Sequence, residues 1–563
     1  MKNILIAIRS IFKKGRHNVM KIVSLGIGLA VGLVLIAKVY FEQSYDDFYP
    51  DRDRVYQVWA KYQQNGGELK DYPQTSGGIA PTMQQQIPEI ETVTRYTSFG
   101  DWTFTMTDTK MKYSGRCIIA DSCFFDILPR PMLIGNAKEV LSTPMYVLIS
   151  SRIAKNIGGD VIGKNFTVDN SPGRTMTIGG VFEEVPENSH SRYDVIVSMA
   201  SAGRFMWEGS PTNMLGNDRY ISYVKLHKGV NPLALEEQVR TFVNSYFPPE
   251  EQQKVGLSID FSFHKLDNLH KELPQVKRMT WILSLLAFAL IFTAVMNYIL
   301  IVISSIVNRS KEVAVHKCYG ASENNIHGMM FGEALVHIVL SLILALLLIL
   351  AFRGTVEELL ATSLDSLLLS NGSLVLLGIC ILVFFVSGFM PGSLYARIPV
   401  ASAFRNYREN KRIWKKALLL VQFVATGFLV TMLVFVARQY TFMVNDRPGY
   451  AYENLAYCGL AGVDSTSRAK ILDEVMRLPG VAAATTVYQL PFEHASGNNI
   501  LLPGGTQELF NIADLYWVGN GYLDMMEIPV IQGRSFTENV TNSREDGRPP
   551  FRGEDEIGSG LDG

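Results

Sequence analysis

The sequence predicts an α-helical integral membrane protein with five spans and α+β extracytoplasmic domains. Three observations predict that class. Apolar residues are gathered into five runs of about 20 or more, the length that crosses a bilayer core. A segment of 234 residues between the first two runs mixes helical and strand patterns. Lys and Arg cluster in alternate connections between the runs, as the positive-inside rule requires. The chain has 563 residues, 48% of them hydrophobic, and a formal net charge of −1. That balance gives no case for nucleic acid as a partner.

The first span is placed at residues 19–41, with 16 uncharged residues between Lys21 and Lys38. Those two lysines are expected to snorkel to opposite interfaces. The run is too long for a signal-peptide core, and bulky, charged "YFEQSYDDFYPDRDRVY" follows it, so it reads as a retained anchor. The other spans are placed at 279–307, 328–352, 373–394 and 417–437.

Charge sets the expected orientation. Residues 1–21 carry six Lys or Arg and no acid, and residues 395–416 carry seven against Glu409. The connection 353–372 has Arg353 alone against Glu357, Glu358 and Asp365. The N-terminus, the loop 308–327 and the basic linker 395–416 are therefore expected in the cytoplasm. Residues 42–275, the short 353–372 loop and everything after Arg438 are expected outside. In residues 1–18, Ile4, Leu5, Ile8, Ile11 and Phe12 recur at helical spacing opposite Lys2, Arg9, Lys13 and Lys14. That is the pattern of an amphipathic helix on the cytoplasmic leaflet of the bilayer.

The outer segment 42–275 is long enough for its own core. "GGIAPTMQQQIPEIETVTRY" reads as a helix ended before Pro88 and then a strand. "KMKYSGRCIIAD", "NFTVDN" and "RTMTIGGVFEEVP" read as strands, and "LALEEQVRTFVNSYF" has helical period. An α+β domain of two lobes is expected.

The chain also repeats itself. The lead-in, first span and following turn are echoed by "YRENKRIWKKALLLVQFVATGFLVTMLVFVARQYTFMVNDRPGYAYENLAYC". "IPEIETVTRY" is echoed by "LPGVAAATTVY" from Leu478. Asp126 and Asp524 each stand nine residues before a glycine, Gly135 and Gly533. Three echoes in one order imply duplication, with 438–545 a partial second outer domain. The tail 546–563, with charge, Gly and Pro but no apolar period, reads as foreign to that unit. A frameshift, a truncated gene, an artificial end or a disordered terminus each fits it.

Between the second and third spans stands "NRSKEVAVHKCYGASENNIHGMMFGEAL". This charged helix, Gly-Ala-Ser break and glutamate-bearing helix resemble the signature of FtsX/MacB-type ABC transporter permeases. "VLISSRIAKNIGGDVIGKNFTVDN", "MTIGGVFEEVPENSHSRYDVIV" and "MPGSLYARIPVASAFRN" resemble the same family. The duplicated length is similar to the long permeases of Bacteroidota, here with the second half cut short. The resemblance implies an inner-membrane permease subunit without an ATPase of its own. In such a family, hydrolysis in a separate cytoplasmic ABC ATPase is passed to periplasmic domains by mechanotransmission, for export (efflux) of a drug, peptide or lipoprotein. It also implies a coupling helix at 309–319. Arg309, Lys311, Glu312, His316 and Lys317 are the expected contacts, with Gly320 and Ser322 forming the break behind them. A scaffold or regulator of a cell-envelope enzyme or sensor kinase, or a non-functional remnant, are the alternatives. A periplasmic adaptor or envelope partner, and a permease dimer or pseudo-dimer, are further partners the resemblance implies.

The residues agree with a missing ATPase, since no G-x-x-x-x-G-K-[ST] run occurs to cradle phosphates. No enzyme activity and no cofactor or metal is expected of the chain itself. The glycines of "GIGLAVG" (Gly26, Gly28, Gly32) fall inside a span and read as close-packing positions. The 29 uncharged residues of the second span would extend about 44 Å as a helix, against roughly 30 Å of hydrocarbon. With "KELPQVKRM" before it, that helix is long enough to run from the outer domain to the coupling loop. Asn297 and Gln422 read as interhelical hydrogen-bonding groups. Glu333 and His337, four apart on one helical face, are placed to pair with each other or, for Glu333, with a basic group of the N-terminal helix. Cys117 and Cys123 lie where a disulfide is chemically permitted, though unpaired structural cysteines are favoured. His190, in "ENSHSRY", reads as a surface loop.

Overall fold

The computed structural model describes residues 17–64, 67–168, 171–216, 218–368, 372–396, 413–446, 449–460, 463, 465–490, 496–501, 508–533 and 535. The N-terminal amphipathic helix, most of the basic linker and the tail thus lie outside the described residues. The chain divides into two compact units. One comprises residues 1–48, 186–190 and 267–442, and the other comprises 49–185, 191–266 and 443–563. The 42–275 segment is therefore not one domain. Residues 42–48 and 267–275 belong with the apolar helices, as does the five-residue strap 186–190.

The helical unit contains α1 (Asn18–Gln43), α2 (Pro274–Ser304), α3 (Ile306–Cys318), α4 (Glu323–Ala351), α5 (Arg353–Leu360), α6 (Leu364–Leu368), α7 (Ser373–Ala396) and most of α8 (Ile413–Asn445). Five of these, α1, α2, α4, α7 and α8, are long and apolar enough to cross a membrane. Leu25, Leu29, Leu33, Tyr298, Ile299, Ile338 and Ala345 form one core where α1, α2 and α4 meet. In lipid such a core gains little from the hydrophobic effect, so close backbone approach has to supply the attraction. The glycines of α1 allow it. A Cβ on Gly28 would overlap the Ala294 Cβ, and one on Gly32 would overlap Ile291 Cγ1. Nearly every described side chain of α8 is exposed, Gln422 excepted.

Several element ends differ from the hydropathy reading. The second span does not run to Val307. The hydroxyls of Ser304 and Ser305 donate back to the carbonyls of Ile301 and Val302, at 2.8 and 2.6 Å, which competes with the helical ladder and ends α2. Tyr395 Oη donates to the same Val302 carbonyl at 3.1 Å. At its other end α2 starts at Pro274, because the helix continues through Lys277 and Arg278 beyond the apolar run. α4 begins at Glu323 and α8 extends to Asn445. The 353–372 loop holds two short helices, α5 and α6.

The other unit is built on one mixed sheet of eleven strands. They are β1 (Val55–Gln64), β2 (Lys70–Tyr72), β3 (Ile90–Met106), β4 (Lys112–Ala120), β5 (Met132–Ile134), β6 (Tyr146–Ser150), β7 (Asn165–Val168), β8 (Ser171–Phe182), β9 (Val195–Ser198), β10 (Ile221–Leu226) and β11 (Leu257–Lys265). Their order is β11-β1-β10-β3-β4-β9-β6-β8-β5, with β2 on β1 and β7 joining β3 to β8. The expected two lobes are thus two hydrophobic cores on one continuous sheet. One gathers Val58, Met83, Phe242 and Phe261, and the other gathers Phe104, Ile149, Phe166 and Ile178. Each fully buried Leu, Ile or Phe stabilises by about 1.5–3 kcal/mol. The helix Ile79–Gln86 stops because Ile87, before Pro88, is held in extended backbone.

Within residues 443–563 the described elements are a helix (Ser465–Met476), the hairpin of β12 (Ser496–Leu501) and β13 (Glu508–Leu515), and a one-turn helix (Tyr522–Met525). The echoed segments share local geometry. Asp126 and Asp524 each sit in the first turn of a one-turn helix, and Gly135 and Gly533 take φ +87 and +98. Only glycine adopts that backbone without strain.

Candidate coupling surface

α3 is the short helix between the second and third apolar helices. Ser310, Val313 and Ala314 turn inward and are buried, the last two within the helical core. Lys311, Val315, His316, Cys318 and Tyr319 are exposed, and Glu312 and Lys317 are half-buried. Arg309 lies within α3, and its side chain lies outside what the structure describes.

The end of α3 is set by backbone chemistry. Ala321 N donates to His316 O and Gly320 N to Lys317 O, both at 3.0 Å, which is a Schellman cap. That cap needs a left-handed residue, and Gly320 supplies it at φ +86. His316 and Lys317, in the last turn, complement the negative end of the helix dipole. Ser322 then caps the start of α4, its Oγ accepting from Asn325 N at 3.4 Å. Gly320 and Ser322 therefore end α3 and start α4.

Residues at four-residue intervals stack on a helix. Lys311, Val315 and Tyr319 form such a row, and Tyr319 is 88% exposed. Val315 and Tyr319 were not among the sequence candidates, although an apolar pair four apart in a charged segment is a readable signal.

The other candidates lie on the long apolar helices. Glu333 is 3.4 Å from Lys21 Nζ, which also donates to Asn18 Oδ1 at 3.2 Å. Lys21 and Lys38 do not snorkel. Both are buried in protein, where acceptors on α4 and in the α5–α6 turn satisfy them. His337 Nδ1 lies 3.1 Å from Tyr298 Oη on α2. Gln422 is buried and Asn297 half-buried. Among the described residues no group of three metal-ligating side chains occurs. Cys117 is fully buried in β4, where burial pushes its thiol well above the usual value, and Cys123 Sγ donates to Val93 O at 3.1 Å.

The chain is similar to known proteins. A model described as the MacB-like periplasmic core domain matches residues 20–242, and one described as the FtsX-like permease C-terminal matches 284–400. Together they span more than half of the 563 residues. Among solved structures, a domain of a permease protein from Porphyromonas gingivalis is similar at 33% identity, covering 38% of this chain and 91% of that one, with a TM-score of 0.36. The periplasmic region of MacB from Actinobacillus actinomycetemcomitans is similar at 15% identity, covering 39% and 91%, with a TM-score of 0.26. The extracellular domain of the ABC-type transporter YknZ from Gram-positive bacteria is similar at 11% identity, covering 36% and 98%, also at 0.26. No curated protein matches the chain. With a MacB-like match over 20–242 and an FtsX-like match over 284–400, the chain belongs to the FtsX/MacB-type ABC transporter permeases.

Proposed function

We propose that the protein is the membrane subunit of a two-component export or signalling machine, and that a separate cytoplasmic ATPase drives it through α3. The observation that carries this reading is the capped α3 helix, which presents Lys311, Val315, His316 and Tyr319 between two long apolar helices. The charge asymmetry supports a cytoplasmic side for that face, the N-terminus and 395–416 and the opposite side for the MacB-like domain, and the family supports a bacterial inner membrane with that domain in the periplasm. α2 has 31 residues, about 46 Å at helical rise, so it exceeds the hydrocarbon core and projects or tilts. Such a helix carries displacement from the coupling face outward without a polar transport path.

The test is affinity capture from solubilised membranes, native chain against Lys311→Glu/Lys317→Glu. The native chain retains a protein bearing the P-loop sequence and the double variant loses it, with equal membrane insertion. A native chain that retains no such protein overturns the reading.

A further inference from the structure

At the C-terminal end of α1, Lys38, Glu42 and Asp46 follow one another at four-residue intervals, and all three are buried. Each reaches a different part of the helical unit. Lys38 Nζ lies 2.7 Å from Glu42 Oε1 and donates to Thr362 Oγ1, in the α5–α6 turn, at 2.8 Å. Glu42 Oε2 lies 2.6 Å from His270 Nε2, in the segment that leads into α2. The His270 ring stacks on Tyr45 with centroids 3.4 Å apart. Asp46 holds the strap 186–190, Pro-Glu-Asn-Ser-His. Its Oδ2 is 2.7 Å from His190 Nδ1, and its Oδ1 accepts from Ser189 Oγ at 3.1 Å and His190 N at 3.3 Å. Asp46 N donates to Asn188 O at 2.9 Å, and Asn188 Nδ2 donates to Ser44 O at 2.7 Å. Glu187 closes the circuit, its Oε2 accepting from Ser363 N at 3.0 Å.

His190 is thus no surface-loop residue. The strap has side-chain or backbone bonds to α1's terminal turn from Asn188, Ser189 and His190, and to the α5–α6 turn from Glu187. Asp46 has φ +61, a left-handed backbone that aspartate tolerates better than most residues. That conformation turns both its amide and its carboxylate to the strap.

We infer that Lys38, Glu42 and Asp46 form a single transmission joint. It binds α1, the approach to α2, the α5–α6 turn and the strap into one body. A plain anchor could be made of apolar contacts, which tolerate sliding. Buried, directional charge-assisted bonds hold one geometry, and burying them is costly unless every partner is in place. A displacement of α1 is then passed to residues 186–190 and, through the peptide chain, to the ends of β8 and β9. The joint rests on the mechanical reading proposed above and names the residues that carry the motion.

The test is hydrogen exchange on the detergent-solubilised full chain, comparing the native protein with Glu42→Gln. Glu42 has no direct bond to the strap among the contacts above. If the three residues act as one body, peptides covering 186–191 and 361–366 exchange about tenfold faster or more in the variant, the scale of losing one charge-assisted bond. Asp46→Asn reciprocally speeds exchange at 268–273. Exchange over 294–303 stays native and reports that the bundle is folded. Should Glu42→Gln not fold, Lys38→Met/Glu42→Leu removes both charges and carries the same expectation. A strap that exchanges at the native rate while only 268–273 and 361–366 respond overturns the joint. ATPase capture remains a separate readout. Capture with a silent strap sinks the joint alone, and a responsive strap without capture sinks the ATPase reading alone.

Discussion

The ammonium of Lys21 stands 3.4 Å from the carboxylate of Glu333, and both side chains are excluded from solvent. The pair joins α1 to α4 across 312 residues of sequence. Removing one partner strands the other charge in a medium that solvates it poorly, which costs about 3–5 kcal/mol. Lys21→Met and Glu333→Leu should therefore each lower the thermal unfolding midpoint in detergent strongly. The double variant should recover most of the loss, because it leaves no unpaired charge. Additive losses in the double variant would show that the two groups act independently.

Packing of α1 on α2 gives a second expectation. Gly28 faces Ala294 so closely that an added Cβ overlaps the Ala294 methyl. Gly28→Ala should destabilise by about 1–3 kcal/mol, as overpacking does. Ala294→Gly on the same chain opens the space from the other side and should restore part of it, a coupling that a double-mutant cycle on the unfolding midpoint measures. Gly26 lies instead near Leu344 and Ser341 O of α4, so Ala294→Gly should not rescue Gly26→Ala.

Much of this architecture is legible in the sequence because its largest signals are local. A run of about 20 apolar residues marks a span whatever surrounds it. Alternating and helical periods place β4, β7, β8 and the helix Glu236–Tyr246 near their observed positions. What is not legible depends on residues distant in the chain. Lys38 looks like a snorkelling lysine until Thr362, 324 residues later, supplies its acceptor. His190 looks like loop until Asp46 is folded against it. Hydropathy also locates apolar stretches better than helix ends, so it carries α2 through Ser304 and Ser305, whose hydroxyls end the helix. At α3 the charged residues are readable in the sequence, but the exposure of Tyr319 depends on which face the bundle buries.

The α+β unit should show an acid-sensitive transition. Lys225 donates to Asp51 at 2.6 Å and holds that carboxyl below its ordinary value of 3.8. Arg54 does the same for Glu91, also at 2.6 Å, below its ordinary 4.5. Both groups bind protons more weakly folded than unfolded. Their stabilisation is therefore complete above the ordinary carboxylate range and is lost as pH falls below about 4, through the lowered values. Unfolding midpoints measured from pH 7 to pH 3 should fall more steeply for the native chain than for Lys225→Met, and the two curves should converge at the acid end. Parallel curves would assign the Lys225–Asp51 pair no role.

Tyr319 gives the sharpest separation between a coupling face and a topogenic loop. Its ring is 88% exposed at the end of α3, in a row with Val315 and Lys311. An exposed side chain outside the core contributes little to stability, so Tyr319→Ala should leave the unfolding midpoint within about 0.5 kcal/mol of native. If α3 only sets topology, ATPase capture is equally indifferent to the change, since the neighbouring charges are intact. If α3 docks into a groove, Tyr319 is the aromatic anchor that such interfaces concentrate their energy on. Its removal then costs about 2 kcal/mol or more, a loss of roughly 30-fold in affinity. Capture of the P-loop protein measured by titration, native against Tyr319→Ala and Val315→Ala, reads that difference directly. Equal affinities for all three chains would restrict the coupling face to its charged residues.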